Sequence, residues 1–166
     1  MLLDQEARKE ALIEQQLIAD YKKLYRLAYS YVHNENDALD IVQESAYKAI
    51  KNSGSLKNVQ YRGTWLYRIV INESISFLRR QKQQTVPLYE LDGEAEDTYA
   101  DLDLHRALEQ LDPLDKTVVV LRFFEGLQLK QIAQVLDENL NTIKSRLYRS
   151  LKKLKLSLTE EGAERV

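Results

Sequence analysis

Apolar residues recur along this chain at intervals of three and four, the period of an amphipathic helix rather than of a strand. Between residues 17 and 32 they fall at Leu17, Tyr21, Leu24, Tyr25, Ala28, Tyr31 and Val32. The pattern stops for a polar turn at His33-Asn34-Glu35-Asn36-Asp37, where Asp37 can cap a second helix by accepting from free backbone N–H groups. That helix runs to about Ile50 and offers Leu39, Ile41, Val42, Ala46, Ala49 and Ile50 for packing. Asn52 to Gln60 is a loop, marked by Asn-Ser-Gly-Ser and a lone Lys57. A helix from about Thr64 to Arg80 follows, with Leu66, Val70, Ile71, Phe77 and Leu78 on its buried side. Apolar periodicity is lost from Gln81 to Asp103. It returns from Leu104 to Leu158, broken at Leu111-Asp112-Pro113, at Gly126 and at Asp137-Glu138-Asn139.

The expected fold is all-α, with two small helical modules over residues 1–82 and 104–166. Between them, residues 83–103 read as a flexible acidic linker. Glu90, Asp92, Glu94, Glu96, Asp97, Asp101 and Asp103 stand there with no basic residue among them, and such a stretch buries too little surface to offset its ordering entropy. Two prolines and five glycines in 166 residues, against abundant Leu, Lys, Glu, Gln and Ala, favour helix throughout.

Composition narrows the chemistry. With no cysteine, disulfides, thiolate metal sites and thiol nucleophiles are excluded. The two histidines, His33 and His105, have no second soft ligand nearby in sequence, so no metal site is expected. No nucleophile–base pair or glycine-rich phosphate loop is present, and neither catalysis nor a cofactor is expected. No run approaches the ~18 apolar residues of a membrane span. The first residues, MLLDQEARKEALIEQQL, mix acidic with apolar positions, unlike a signal peptide. A cytoplasmic chain without membrane insertion is the expectation. Net charge is only −2, so any nucleic-acid surface must come from an uneven distribution of charge.

The last third has that distribution. Gly126 to Leu136 reads as a short helix, a three-residue turn follows, and a long basic helix begins, capped by Asn139 or Asn141. Small Ala133 permits close helix approach and Ile143 follows ten residues later, the spacing of a helix-turn-helix. At about 100° per residue, Ile143, Leu147, Leu151, Leu154 and Leu158 share one narrow face, and Ser145, Tyr148, Arg149 and Lys152 lie opposite with Lys144 and Arg146 flanking. A solvated basic face would explain the charges alone. Joined to the preceding helix and turn, the pattern fits a recognition helix, whose arginines can bond guanine and whose Lys and Ser/Thr hold phosphates. In the first module Arg68, Asn72, Ser76 and Arg79 line the polar side of the third helix, with Trp65 and Ile69 beside them. Exposed rings among cations suit separated DNA strands, although Trp65 also fits a packing role at the helix start. Asp40, Gln43 and Glu44 form a polar stripe on the second helix.

Three stretches in this order resemble the extracytoplasmic-function (ECF) group of bacterial RNA polymerase sigma factors, of the sigma-70 family. They are Asp37-Ala38-Leu39-Asp40-Ile41-Val42-Gln43-Glu44, Thr64-Trp65-Leu66-Tyr67-Arg68-Ile69-Val70-Ile71-Asn72, and Asn141-Thr142-Ile143-Lys144-Ser145-Arg146-Leu147-Tyr148-Arg149. With the linker they span residues 17 to about 155. The resemblance implies that Asp40, Gln43 and Glu44 dock on the coiled-coil clamp of core RNA polymerase. It places Lys57 and Tyr61 in the loop that captures a flipped base of the minus-ten element, with Asn72, Trp65 and Arg68 on the adjoining helix. Lys144, Ser145, Tyr148 and Arg149 would contact the minus-thirty-five element of promoter DNA, with Thr142 and Arg146 nearer the backbone. It further implies a role in a stress or envelope response under an anti-sigma factor. Asp137 stands where the family turn usually has Gly, Glu138 where an apolar residue is usual, and Ser76 where Asp is common. A dimeric helix-turn-helix regulator acting without polymerase would share the C-terminal module, but gives no reason for the Trp65–Asn72 surface or the acidic linker. A helical antagonist that mimics a sigma factor would have lost the DNA contacts at Lys144, Ser145 and Arg149.

Overall fold

The structure is a computed structural model that describes the backbone of residues 1–83 and 99–164, with side chains over 1–83 and 103–159. Every regular element among the described residues is helical. The described residues form seven α-helices: α1 (Leu2–Val32), α2 (Glu35–Lys51), α3 (Arg62–Gln83), α4 (Tyr99–Glu109), α5 (Pro113–Val119), α6 (Leu129–Leu136) and α7 (Leu140–Glu164). They separate into two compact units, one built on α1–α3 and the other on α4, α5 and α7.

In the first unit each helix packs on the other two. α1 contributes Ile13, Leu24, Leu27, Ala28 and Tyr31 to the core, α2 contributes Ala38, Ile41, Val42 and Ala49, and α3 contributes Leu66, Tyr67, Val70 and Ile71. Each of these larger apolar side chains stabilises the fold by about 1.5–3 kcal/mol on burial. Tyr21, expected on the buried stripe, is instead exposed. The turn between α1 and α2 is closed by His33 at φ 52°, whose N–H donates to the Tyr29 carbonyl at 2.9 Å. Such a left-handed residue commonly ends a helix. α2 is capped by Asn34 and not by Asp37, because the Asn34 side chain accepts from the Asp37 N–H at 3.0 Å. The buried Glu73 carboxylate of α3 takes the Lys48 ammonium of α2 at 2.5 Å and lies 3.6 Å from Arg80, tying two helices by charge.

In the second unit α7 packs on α4 and α5. Its inward residues are Ile143, Leu147, Ser150 and Leu154, whereas Leu158, expected on that stripe, is exposed. α5 starts on Pro113, which fits the first helical position where no N–H is needed. It runs into a single π-helical turn, Val120–Phe124, closed by Glu125 N–H to Val120 O at 3.1 Å. Gly126 then reverses the chain at φ 69°, a conformation that favours glycine. This turn places the start of α6 at Leu129, not at Gly126.

α4 starts at Tyr99, inside the stretch expected to be linker. Once Leu104, Ala107 and Leu108 nucleate a turn, adding residues at its N-terminal side costs little, and local polarity does not stop it. The expected linker residues Glu90, Asp92, Glu94, Glu96 and Asp97 lie outside the described residues.

Candidate nucleic-acid interface

The turn between α6 and α7 is built from backbone closure at both ends. Asp137 sits at φ 52° and Glu138 N–H donates to Ala133 O at 2.9 Å, a Schellman closure usually made with glycine. Asp tolerates that conformation better than most side chains, which is how the chain keeps the turn without Gly. α7 is capped by Asn139, whose side chain accepts from Asn141 N–H at 2.8 Å. At the start of α6 the Gln131 side chain reaches back to the Gln128 N–H at 2.8 Å, half of a capping box.

With its start so defined, α7 turns Lys144, Ser145, Tyr148 and Arg149 outward, and all four are exposed. Asn141, Thr142, Ser145, Arg146 and Arg149 line one open cleft of about 410 Å³. The sequence-predicted residues thus share a face, and Asn141 joins them as a lining residue. Arg146 differs from the rest. It is half-buried, and its Nη1 lies 2.9 Å from Oδ1 of Asp115 and 3.8 Å from Oδ2 of Asp112, both at the α5 side. Arg149 Nη2 lies 3.7 Å from the same Asp115 oxygen. Asp115 was missed by sequence reasoning. Its signal was a carboxylate three residues before an unbroken apolar run, Val118-Val119-Val120-Leu121.

In the first unit the α2–α3 loop is fixed by its own backbone. Two 3₁₀ turns, Ser53–Ser55 and Val59–Tyr61, flank the exposed Lys57. Leu56 is buried and anchors the loop. The Asn58 side chain accepts from Gln60 N–H at 3.0 Å, Arg62 Nη1 donates to Val59 O at 2.8 Å, and Thr64 Oγ1 donates to Tyr61 O at 3.0 Å. Tyr61, half exposed, is held at the mouth of α3. Trp65, Arg68 and Asn72 follow at helical spacing, Arg68 and Asn72 exposed and Trp65 half-buried. Trp65 is thus partly covered and partly accessible.

Asp40, Gln43 and Glu44 are exposed along the outer face of α2. Burial pushes the nearby Asp37 carboxyl above its usual range, and the Asp40 charge adds to that. Tyr47, 60% exposed, continues the stripe with the Lys51 ammonium 5.7 Å from its ring centre. The sequence reading placed this tyrosine neither among the packing residues of the helix nor on its polar stripe.

Comparison with known proteins decides the family. The sequence model described as Sigma-70 region 2 matches residues 17–84, and the one described as Sigma-70, region 4 matches residues 101–154. The chain is 47% identical over 149 residues to RNA polymerase sigma factor SigV of Bacillus subtilis, covering 87% of this chain and 90% of the relative. It belongs to the sigma-70 family of RNA polymerase sigma factors. A second relative, the ECF RNA polymerase sigma factor SigW of the same organism, is 30% identical over 161 residues, 83% of this chain and 84% of that one. This places the sigma factor in the ECF group.

Two solved structures share its fold. The sigma factor RpoE of Bartonella quintana, solved with the anti-sigma factor NepR, superposes with a TM-score of 0.70 at 23% identity over 88% of this chain and 96% of that one. CnrH, solved with the cytosolic domain of CnrY, gives 0.70 at 22% over 93% and 95%. As a sigma factor the protein binds core RNA polymerase and directs it to specific promoters. Sigma factors act in initiation as non-enzymatic factors. Among the described residues no helix is long and apolar enough to cross a membrane, and no acid or histidine cluster is arranged to hold a metal.

Proposed function

We propose that the two units of this sigma factor read one promoter through the surfaces described above. α7 enters the major groove of the minus-thirty-five element, with Lys144, Ser145, Tyr148 and Arg149 toward the bases and phosphates and Thr142 at the margin. The first unit holds the opened minus-ten element. Lys57 and Tyr61 receive an extruded base, and Trp65, Arg68 and Asn72 support the strand beside it. Extrusion costs a few kcal/mol, which stacking and phosphate contacts offset. Asp40, Gln43 and Glu44 dock on core polymerase.

The observation that carries this reading is the gathering of Asn141, Thr142, Ser145 and Arg149 around one cleft at the start of α7. A helix N-terminus rich in hydrogen-bonding side chains is the part of a recognition helix that meets base edges. The chain performs no catalysis of its own, works in the cytoplasm, and responds to envelope or other stress. An anti-sigma factor holds it inactive, a reading supported by the fold it shares with RpoE, solved bound to the anti-sigma factor NepR.

Run-off transcription with core polymerase on a promoter library tests the proposal. Start sites that appear only with the protein, and vanish with Arg149→Ala or Asn72→Ala, are the expected result. Starts that persist in both variants would remove these residues from promoter reading. Retained duplex binding with no starts would favour a regulator that works without polymerase.

A further inference from the structure

The cleft on α7 contains two arginines one turn apart, and they are not equivalent. Arg146 points inward. Its guanidinium donates to Asp115 at 2.9 Å, and its Nε is buried with no partner among the described residues. Arg149 is 56% exposed and approaches the same oxygen only at 3.7 Å. Asp115 itself is 4% exposed on its side chain. A carboxylate that far out of water must be paired, because its desolvation is costly unless a cation with good geometry answers it. Arg146 supplies the direct hydrogen bond through Nη1, and with its Nε buried as well it has too few donors free at the surface for a two-point grip on a phosphate.

From this geometry we infer that Asp115 is a specificity-determining positioning residue, which withdraws Arg146 from DNA and leaves Arg149 as the arginine that reads it. The inference rests on the minus-thirty-five role of α7 and reassigns one residue within it. Without Asp115, Arg146 would swing to the surface and add a sequence-blind phosphate contact. Binding to any DNA would then strengthen while discrimination fell. A cation that only neutralises phosphates adds affinity to right and wrong sites alike.

The experiment uses the full chain in two assays. Salt titration of the free protein on a scrambled duplex reads phosphate contacts. Run-off transcription with core polymerase, on a promoter carrying its upstream element or a scrambled one, reads discrimination. Asp115→Asn is expected to steepen the salt slope by about 0.9, the value of one phosphate, equivalent to about a threefold change in affinity between about 50 and 200 mM salt. The transcript ratio between the two promoters should fall several-fold. Arg146→Gln, which keeps a donor for Asp115, should leave slope and ratio unchanged, whereas Arg149→Gln, which removes a base contact, should abolish the ratio.

If Arg146→Gln flattens the slope by about 0.9, the value of one phosphate, Arg146 is a direct DNA contact and the inference is overturned. An unchanged slope and ratio in folded Asp115→Asn overturns it as well. Should Asp115→Asn lose its cooperative melt, the comparison of the two arginine variants decides alone. A wild-type chain that transcribes both promoters equally would instead refute the minus-thirty-five reading itself, and the inference with it.

Discussion

Replacing Ser150 by alanine should stabilise the second unit. Ser150 is fully buried on the inward face of α7, between Leu147 and Leu154, and its hydroxyl has no partner among the described residues. Three buried helical hydroxyls elsewhere are satisfied by the carbonyl four residues back. Ser45 reaches Ile41 O at 2.7 Å, Ser74 reaches Val70 O at 2.7 Å, and Thr117 reaches Pro113 O at 2.8 Å. An unpaired buried hydroxyl costs about 1–2 kcal/mol in lost solvation. Alanine also gains about 0.5 kcal/mol in helix propensity. Against this stands the dispersion of one oxygen atom, about 0.5 kcal/mol for a few contacts. The net expectation is a gain of about 1–2 kcal/mol.

In a unit of this size each kcal/mol moves the melting temperature by about 4–8 °C. Differential scanning calorimetry of the full chain should therefore show the transition of the second unit rising by several degrees while that of the first stays fixed. Ser74→Ala is the control, because it removes a hydroxyl that is already satisfied and should give no comparable gain. A fall in melting temperature for Ser150→Ala would show that the hydroxyl is bonded in solution, and the argument would be wrong.

Two further expectations follow from local geometry. Burial pushes the Tyr31 phenol above the ordinary tyrosine value of 10.0. The folded chain then keeps this proton while the unfolded chain loses it, so the stabilisation is intact below about pH 10 and declines as pH rises, by up to about 1.4 kcal/mol per pH unit. Tyr31→Phe should flatten that alkaline decline in urea melts at successive pH values, and an identical slope in the variant would refute the assignment. Asp137→Gly should stabilise the α6–α7 turn by up to about 1 kcal/mol, since glycine adopts positive φ without the steric penalty an L side chain meets there. A lower melting temperature would mean that the aspartate side chain contributes more to the turn than its backbone strain costs.

The features legible in the sequence are those set by period and by local chemistry. The apolar repeat marks every α-helix among the described residues from residue 17 onward, and the family resemblance marks Asp137 as standing where the turn usually has Gly. Caps were harder. Asn34 and Asp37 are both competent acceptors, and only the backbone path decides that Asn34 faces the free N–H groups. The start of α6 depended on the π-helical turn and the reversal at Gly126 after it, which leave no mark in hydrophobic period. The role of Arg146 was the least legible of all. Its spacing places it beside the DNA-facing residues of α7, but its partner is 31 residues away at Asp115, and no local pattern announces a long-range ion pair.

That ion pair also bears on the net charge of −2, which by itself argues against a DNA-binding protein. In the proposed reading, high affinity of the isolated chain for DNA is not required. Docking of α2 on polymerase turns promoter binding into an intramolecular step, which raises the effective concentration of α7 at the promoter. A recognition helix in the holoenzyme can then be weak and still occupied at its promoter. The same weakness keeps the free chain off the large excess of non-promoter DNA, where affinity comes from phosphate contacts. Pairing Arg146 with Asp115 lowers that sequence-blind term while leaving the Arg149 guanidinium exposed. The arrangement gives up affinity that tethering restores, and keeps discrimination, which tethering cannot supply.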